Sequence, residues 1–161
     1  MRLSNLMLPD IEAAFREDPA IVAELFDDLH AEDVADIVES ARVELASDLL
    51  VAMGPERAAE VLACIEPQRQ REQIRRLGPE KAAPIVEEMA SDERADLIGL
   101  LRDDVAEAVL AAMAPEEAAD ARKLSAFEDD TVGSVMSTEV LTVNVDSTVQ
   151  QVIDRVRAGA E

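Results

Sequence analysis

Pairs of acidic residues spaced four positions apart recur along the chain. Five of them fall on predicted helices: Glu32/Asp36, Glu44/Asp48, Glu56/Glu60, Asp92/Asp96 and Glu116/Asp120. Residues i and i+4 are neighbours on one helix face, so each pair places two carboxylates side by side. Carboxylate oxygens are the preferred ligands of Mg²⁺ and Ca²⁺, which are hard cations. The spacing is therefore suited to binding a divalent cation.

A solvated acidic surface is the alternative interpretation of these pairs. An acid in the first turn of a helix interacts favourably with the helix dipole, which explains the first member of each pair. It does not explain the second member, because two like charges at this spacing cost about 0.2–0.5 kcal/mol. Charge alone leaves both interpretations open.

Other kinds of site have little support in the sequence. The chain has one histidine, His30, and one cysteine, Cys64, so it lacks the Cys/His cluster of a zinc site. It has no Ser/His/Asp set and no Gly-rich phosphate loop, and we do not expect an enzyme. We expect His30 to be solvated or to cap a helix, and Cys64 to be a small buried hydrophobic residue.

A repeat of twelve residues runs from Glu17 to Leu124 and positions the acidic pairs. The third place of five blocks is proline, which is tolerated at the first position of a helix: Pro19, Pro55, Pro67, Pro79 and Pro115. The sixth, ninth and tenth places, with the first place of the next block, are apolar, as in Ala58, Val61, Leu62 and Ile65. This spacing forms one stripe of a helix.

The repeat predicts an all-α fold of about nine short helices wound into a superhelix, because helices this short are marginal alone and must stack. The composition, 48% apolar with 2% aromatic, indicates a core of Ala, Leu, Val, Ile and Met. Pro84 lies inside a block and should kink or shorten its helix. The weakest block, 65–76, has Gln70 and Gln73 in apolar places.

The pattern changes after Leu124. Residues 125–134 have the composition of a linker, and Val140 to Val145 alternate as in a β-strand. Ser147 or Thr148 then precedes a helical segment as a candidate N-cap. We divide the chain into a helical domain at 1–124, a linker at 125–134, and the start of an incomplete α/β domain at 135–161.

The formal net charge of −21 excludes several partners. Such a field repels nucleic acid and anionic lipid surfaces. We find neither a convincing secretory signal nor an apolar stretch long enough to cross a membrane, and we expect a cytoplasmic location. One block departs from the acidic trend by carrying Arg69, Arg71, Arg75 and Arg76. This arginine cluster either neutralises its acidic surroundings or docks an acidic surface.

Several of these segments resemble a known family. The blocks LHAEDVADIVES, MGPERAAEVLAC and MASDERADLIGLL, followed by FEDDTVGSVMSTEVLTVNVDSTVQQVIDRVR, resemble the cytosolic part of MgtE magnesium transporters and channels. The last segment is similar to the entry into a cystathionine-β-synthase (CBS) domain. The resemblance implies a magnesium sensor whose acidic helical domain packs against a CBS pair when intracellular Mg²⁺ is plentiful, so that the pore closes.

The resemblance also implies a set of ligands and partners. Glu60, Asp92 and Asp96 match the family's ion-binding acids. A backbone carbonyl can contribute near Gly133 and Ser134, although Ser134 stands where a second glycine is common. The expected ion is Mg²⁺, replaceable by Ca²⁺ or Mn²⁺ in vitro. The expected partners are the CBS domains and transmembrane pore of the same full-length protein, which is a homodimer. This chain is expected to be a cytosolic domain of that membrane protein.

A second resemblance gives an alternative function. The helical array is also similar to the middle domain of the flagellar switch protein FliG. That similarity implies a soluble protein-interaction scaffold attached to CBS domains.

Overall fold

The chain folds into an array of short helices. The computed structural model describes residues 3–127, 131–136 and 141–158. Ten helices lie within 3–127: α1 (Leu3–Glu17), α2 (Pro19–Asp27), α3 (Ala31–Ser40), α4 (Val43–Ala52), α5 (Pro55–Ala63), α6 (Pro67–Leu77), α7 (Pro79–Glu87), α8 (Ser91–Leu100), α9 (Asp103–Ala112) and α10 (Pro115–Leu124). A short 3-10 helix, Val132–Val135, and α11 (Val149–Ala158) follow. The predicted all-α array is confirmed, and α2 to α10 are the nine helices of the repeat.

Proline and glycine set the helix boundaries. All five third-place prolines stand at the first position of their helices, as predicted. Gly54 and Gly78, which precede α5 and α7, have φ angles of 80° and 73°. Residues that carry a side chain rarely adopt positive φ angles, so glycine is required for these two turns. α7 runs through Pro84 and has nine residues, the same length as α5, so it is not shortened relative to α5, and the alternative, a kink at Pro84, stays a prediction.

The core is built by contacts between each helix and the second helix after it. α1 packs on α3, α2 on α4, and the pattern continues to α8 on α10. The predicted stripe is buried in the blocks that begin at residues 29, 53 and 77. Its buried members are Val34, Ile37, Val38, Ala41, Ala58, Val61, Leu62, Ile65, Ala82, Ile85, Val86 and Met89. The repeat therefore turns one face of each helix inward and leaves the acidic face outward.

Helix α6 keeps two glutamines in the buried stripe. Gln70 Nε2 donates to the carbonyl oxygen of Leu62 at 2.8 Å, near the end of α5. Ser47 Oγ donates to Gln73 Oε1 at 2.7 Å. Both amides thus have hydrogen-bond partners, which removes most of the cost of burying them.

The structure corrects two expectations. Residues 141–145 form no strand; Val140 lies outside the described residues. A strand needs a hydrogen-bonding partner strand, and the described residues provide none. Cys64 is exposed, not buried, because it is the C-cap of α5 and lies off the apolar stripe.

Helix α11 begins as predicted, with Thr148 as the capping residue. The backbone N–H of Gln151 donates to Thr148 Oγ1 at 3.4 Å, and the N–H of Thr148 donates to Gln151 Oε1 at 2.8 Å. This reciprocal arrangement is a capping box. Val149, Ile153 and Val156 of α11 are exposed, with Val149 at 77%. The described residues therefore leave the apolar side of α11 uncovered.

Candidate cation-binding face

Glu60 lies on the exposed side of α5, where it forms an ion pair with Arg57 through Oε2. Arg57 also donates to the carbonyl oxygens of Phe26, at 2.9 Å, and Leu29, at the end of α2. Carbonyls at a helix end lack intrahelical partners, so Arg57 closes the end of α2. Glu60 is thus held by a side chain that also has a structural role, and a cation at this carboxylate would compete with Arg57 for Oε2.

Asp92 and Asp96 lie one turn apart on α8, as the spacing predicts. Asp92 is half-buried and Asp96 is exposed. Burial raises the pKa of Glu93, which lies between them, and the charges of Asp92 and Asp96 raise it further. Three carboxylates on two turns of one helix therefore repel one another, and a cation would relieve this repulsion.

Cys64 lies within electrostatic reach of one acid of α5, Glu60, and one acid of α8, Glu93. Partial burial raises the pKa of the Cys64 thiol, and the carboxylates of Glu32, Glu93 and Glu60 raise it further, while Arg57 lowers it. Acids from α3, α5 and α8 thus all act on this one thiol. Sequence reasoning missed this arrangement, because it depends on the packing of helices that are distant in the chain.

The segment after α10 lies beside the acids of α8. A groove of about 480 Å³ is lined by Glu93 and Asp96 on one side and by Phe127 on the other. The 3-10 helix Val132–Val135 packs on α8. A Cβ atom at Gly133 would lie 2.5 Å from the Phe127 ring, so only glycine fits there. The stretch around Gly133 is therefore next to the helix that carries Asp92 and Asp96.

The described residues do not form a complete metal site. Within them, no three His, Cys, Asp or Glu side chains are close enough to hold one ion. The other predicted acidic pairs lie on the surface, with their members exposed or half-buried: Glu32/Asp36, Glu44/Asp48, Glu56/Glu60 and Glu116/Asp120. Any ion on this face would need further ligands from water or from another domain.

Sequence reasoning also missed three arginines that hold helix ends. Arg69 Nη2 donates to the carbonyl oxygens of Glu39 and Ala41, at 2.9 and 3.0 Å, where α3 ends. Arg57 does the same for α2, and Arg94, on α8, for α7. Arg57 and Arg69 occupy the fifth place of their blocks and each pairs with the acid three residues later. This recurring spacing is a pattern in the sequence that could have indicated the ion pairs, but not the contacts with the preceding helix ends.

Comparison with known proteins identifies the family. The model of the MgtE intracellular N domain matches residues 18–130, well over half of the chain. The chain belongs to the MgtE intracellular N domain family. The matched residues cover α2 to α10, so the family's domain coincides with the repeat. The family description places the domain inside the cell, which confirms the expected cytosolic location.

Solved structures confirm the fold. The chain is similar to a structure described as the soluble part of a magnesium transporter, with a TM-score of 0.84, 23% identity, and coverage of 98% of this chain and 61% of that one. It is also similar to the cytosolic domain of the Mg²⁺ channel MgtE in complex with ATP, with a TM-score of 0.83, 26% identity, and coverage of 97% and 63%. The chain thus spans less than two thirds of either structure. No curated protein matches it in sequence.

None of the helices in the described parts of the chain is long and apolar enough to cross a bilayer.

Proposed function

We propose that this chain is the magnesium-sensing, non-enzymatic regulatory region of an MgtE-type Mg²⁺ transporter or channel. Its acidic face binds Mg²⁺ where it meets CBS domains of the same protein, and the bound ion favours a closed pore. The observation that carries the proposal is the crowding of Asp92, Glu93 and Asp96 on α8 in a member of this family.

The chemistry of the proposed switch is electrostatic. Two acidic surfaces repel each other, and a divalent cation between them replaces this repulsion by attraction. Asp92 and Asp96 provide carboxylate oxygens from α8, and Glu60 provides one from α5. Mg²⁺ keeps several of its waters and needs few protein ligands, so an incomplete set on this chain suits it.

The remaining ligands belong to the partner domain in this proposal. The described residues bring no three acids together, so this chain by itself should hold Mg²⁺ weakly. The groove beside α8 is bordered by Phe127, and the 3-10 helix around Gly133, which precedes the CBS-like end of the chain, also packs on α8. A CBS domain attached there would be held close to Asp92 and Asp96. The CBS pair, the pore and a second subunit are the partners that we propose.

Thermal unfolding in increasing Mg²⁺ tests the proposal, using this chain and a longer chain that continues through the CBS domains. An ion at about five times its Kd stabilises by about 1 kcal/mol. For a chain of this size, that raises Tm by about 2–4 °C. We expect the longer chain to reach this shift at a lower Mg²⁺ concentration, because it completes the ligand set.

Matched variants separate specific binding from charge screening. Asp92→Asn/Asp96→Asn should abolish the Mg²⁺-specific shift, measured against NaCl of equal ionic strength. Glu44→Gln/Asp48→Asn removes the same charge from another surface pair and should preserve it. If Mg²⁺ stabilises neither chain more than NaCl does, the magnesium-sensing proposal is wrong, and the scaffold function remains.

A further inference from the structure

The arginines of the helical array differ in how they are paired. Ten arginines lie between residues 3 and 127. Seven of them lie within 4.0 Å of a carboxylate: Arg16, Arg42, Arg57, Arg69, Arg94, Arg102 and Arg122. The other three, Arg71, Arg75 and Arg76, form no ion pair within the described part of the chain, although 36 acids are available. All three are exposed on α6.

Two of these arginines line a groove. Arg71 and Arg75 are four residues apart and so lie on one side of α6. The groove has a volume of about 780 Å³ and runs between α6 and the start of α9. Its opposite side carries Leu101 and Val105, which are buried and half-buried, and the exposed Arg102. Arg69 also lines the groove, together with the acids Glu66 and Glu72, so four arginines face two acids there. The groove therefore combines an apolar lining with an excess of positive charge in a strongly acidic protein.

We propose that this groove is a docking site for an acidic protein segment that carries carboxylates on either side of an apolar side chain. Guanidinium groups bind carboxylates through two parallel hydrogen bonds. The guanidinium groups of Arg71 and Arg75 form no ion pair within the described residues and can therefore bind carboxylates of a partner. The apolar side chain of the segment packs on Leu101 and Val105, where exclusion of water strengthens the contact. Ion pairing with a neighbouring acid does not explain these arginines, because they form no ion pair among the described residues although Glu72 also lines the groove.

The charge of the whole molecule selects a short segment over other anions. A nucleic acid or an anionic membrane extends beyond the groove and meets the acidic faces, which repel it. A second copy of this chain brings a further net charge of −21. A short acidic segment contacts only the groove, so the acidic faces repel it less than they repel these larger partners.

A fluorescent peptide tests this proposal by anisotropy, with EDTA present so that the result is independent of Mg²⁺. The probe is a peptide of about a dozen residues made of Leu, Glu and Asp, a length typical of segments that dock in grooves. We expect saturable binding that weakens as NaCl is added. Arg71→Gln/Arg75→Gln should weaken binding about tenfold, which corresponds to about 1.4 kcal/mol.

Arg76→Gln is the matched control. Arg76 is an exposed arginine on the same helix without an ion pair, but it lies outside the groove. Its substitution should change the affinity less than about twofold, or by about 0.4 kcal/mol. Circular dichroism confirms that each variant folds, as expected for side chains without internal ion pairs.

Four results would overturn the proposal. They are the absence of saturable peptide binding, equal losses in Arg76→Gln and Arg71→Gln/Arg75→Gln, equal binding of a peptide with Gln and Asn in place of its acids, and tighter binding of an oligonucleotide, anionic vesicles or a second copy of the chain.

Discussion

Arg94 connects three helices through one side chain. It lies on α8 and is 3% exposed. Its guanidinium donates to the carbonyl oxygens of Val86, Glu87 and Met89, at 3.0, 2.7 and 2.9 Å, where α7 ends, and it pairs with Glu117 on α10. Val86 O also accepts from the backbone N–H of Met89 at 3.3 Å, so Arg94 is an additional donor there. Carbonyls at a helix end generally lack intrahelical partners, and Arg94 provides a donor for those of Glu87 and Met89 where burial excludes water.

We predict that Arg94→Met lowers the free energy of unfolding by about 3 kcal/mol, because each buried carbonyl left without a donor costs about 1–3 kcal/mol and some will regain water. Urea unfolding followed by circular dichroism measures the change. Arg122→Met is the control, because Arg122 forms an exposed ion pair with Glu107 at 3.1 Å. It should cost less than about 1 kcal/mol. Equal losses in both variants would show that Arg94 acts only as a surface charge.

At the scale of helices, the local features of the sequence were sufficient for most of the array. Third-place prolines and the apolar stripe depend on neighbouring residues, and the nine predicted helices formed. The predicted strand does not form in its described part, residues 141–145, because strand formation depends on a partner strand that is distant in the sequence. The capping by Arg57 and Arg69 joins helices about 30 residues apart, and no spacing within one helix reveals such a contact.

In the candidate site, too, local features were predictable from the sequence and contacts between distant helices were not. The surface positions of Asp92 and Asp96 follow from their spacing on α8. The convergence of Glu32, Glu60 and Glu93 on Cys64 depends on how three helices pack. Cys64 was predicted to be buried and is exposed. It is the C-cap of α5 and lies off the apolar stripe, so its apolar neighbours in the sequence do not bury it.

Two glycines, one before a helix and one within a helix, should respond to alanine substitution with opposite changes in stability. Gly78 has a φ of 73° before α7, whereas Gly99 lies within α8, and a Cβ at either meets nothing within 4 Å. Gly78→Ala should destabilise by about 1–2 kcal/mol through left-handed backbone strain. Gly99→Ala should stabilise by about 0.5–1 kcal/mol, because alanine favours helices. Chemical denaturation measures both, and the same sign for both would contradict this account of the boundaries.

Across the whole molecule, the twelve-residue repeat separates apolar burial from charge. The inward stripes form one continuous core, and the outward faces carry the acids. Within residues 3–127, most arginines bind helix ends or pair with acids, and those without an ion pair lie on α6. The two sides of this charge distribution support separate proposals, one for a divalent cation near α8 and one for an acidic segment beside α6.

Alkylation of Cys64 tests most directly whether Mg²⁺ binds among the acids of α5 and α8. The thiolate is the reactive form. Partial burial raises the pKa of the Cys64 thiol, and Glu32, Glu93 and Glu60 raise it further by repelling the charge of the thiolate. A cation bound among these acids lowers that pKa, so more thiolate forms at pH 8. We predict that Mg²⁺ accelerates alkylation by iodoacetamide relative to NaCl of equal ionic strength, and that Asp92→Asn/Asp96→Asn removes the acceleration. A rate unaffected by Mg²⁺, or accelerated as much in the variant, would contradict binding at this face.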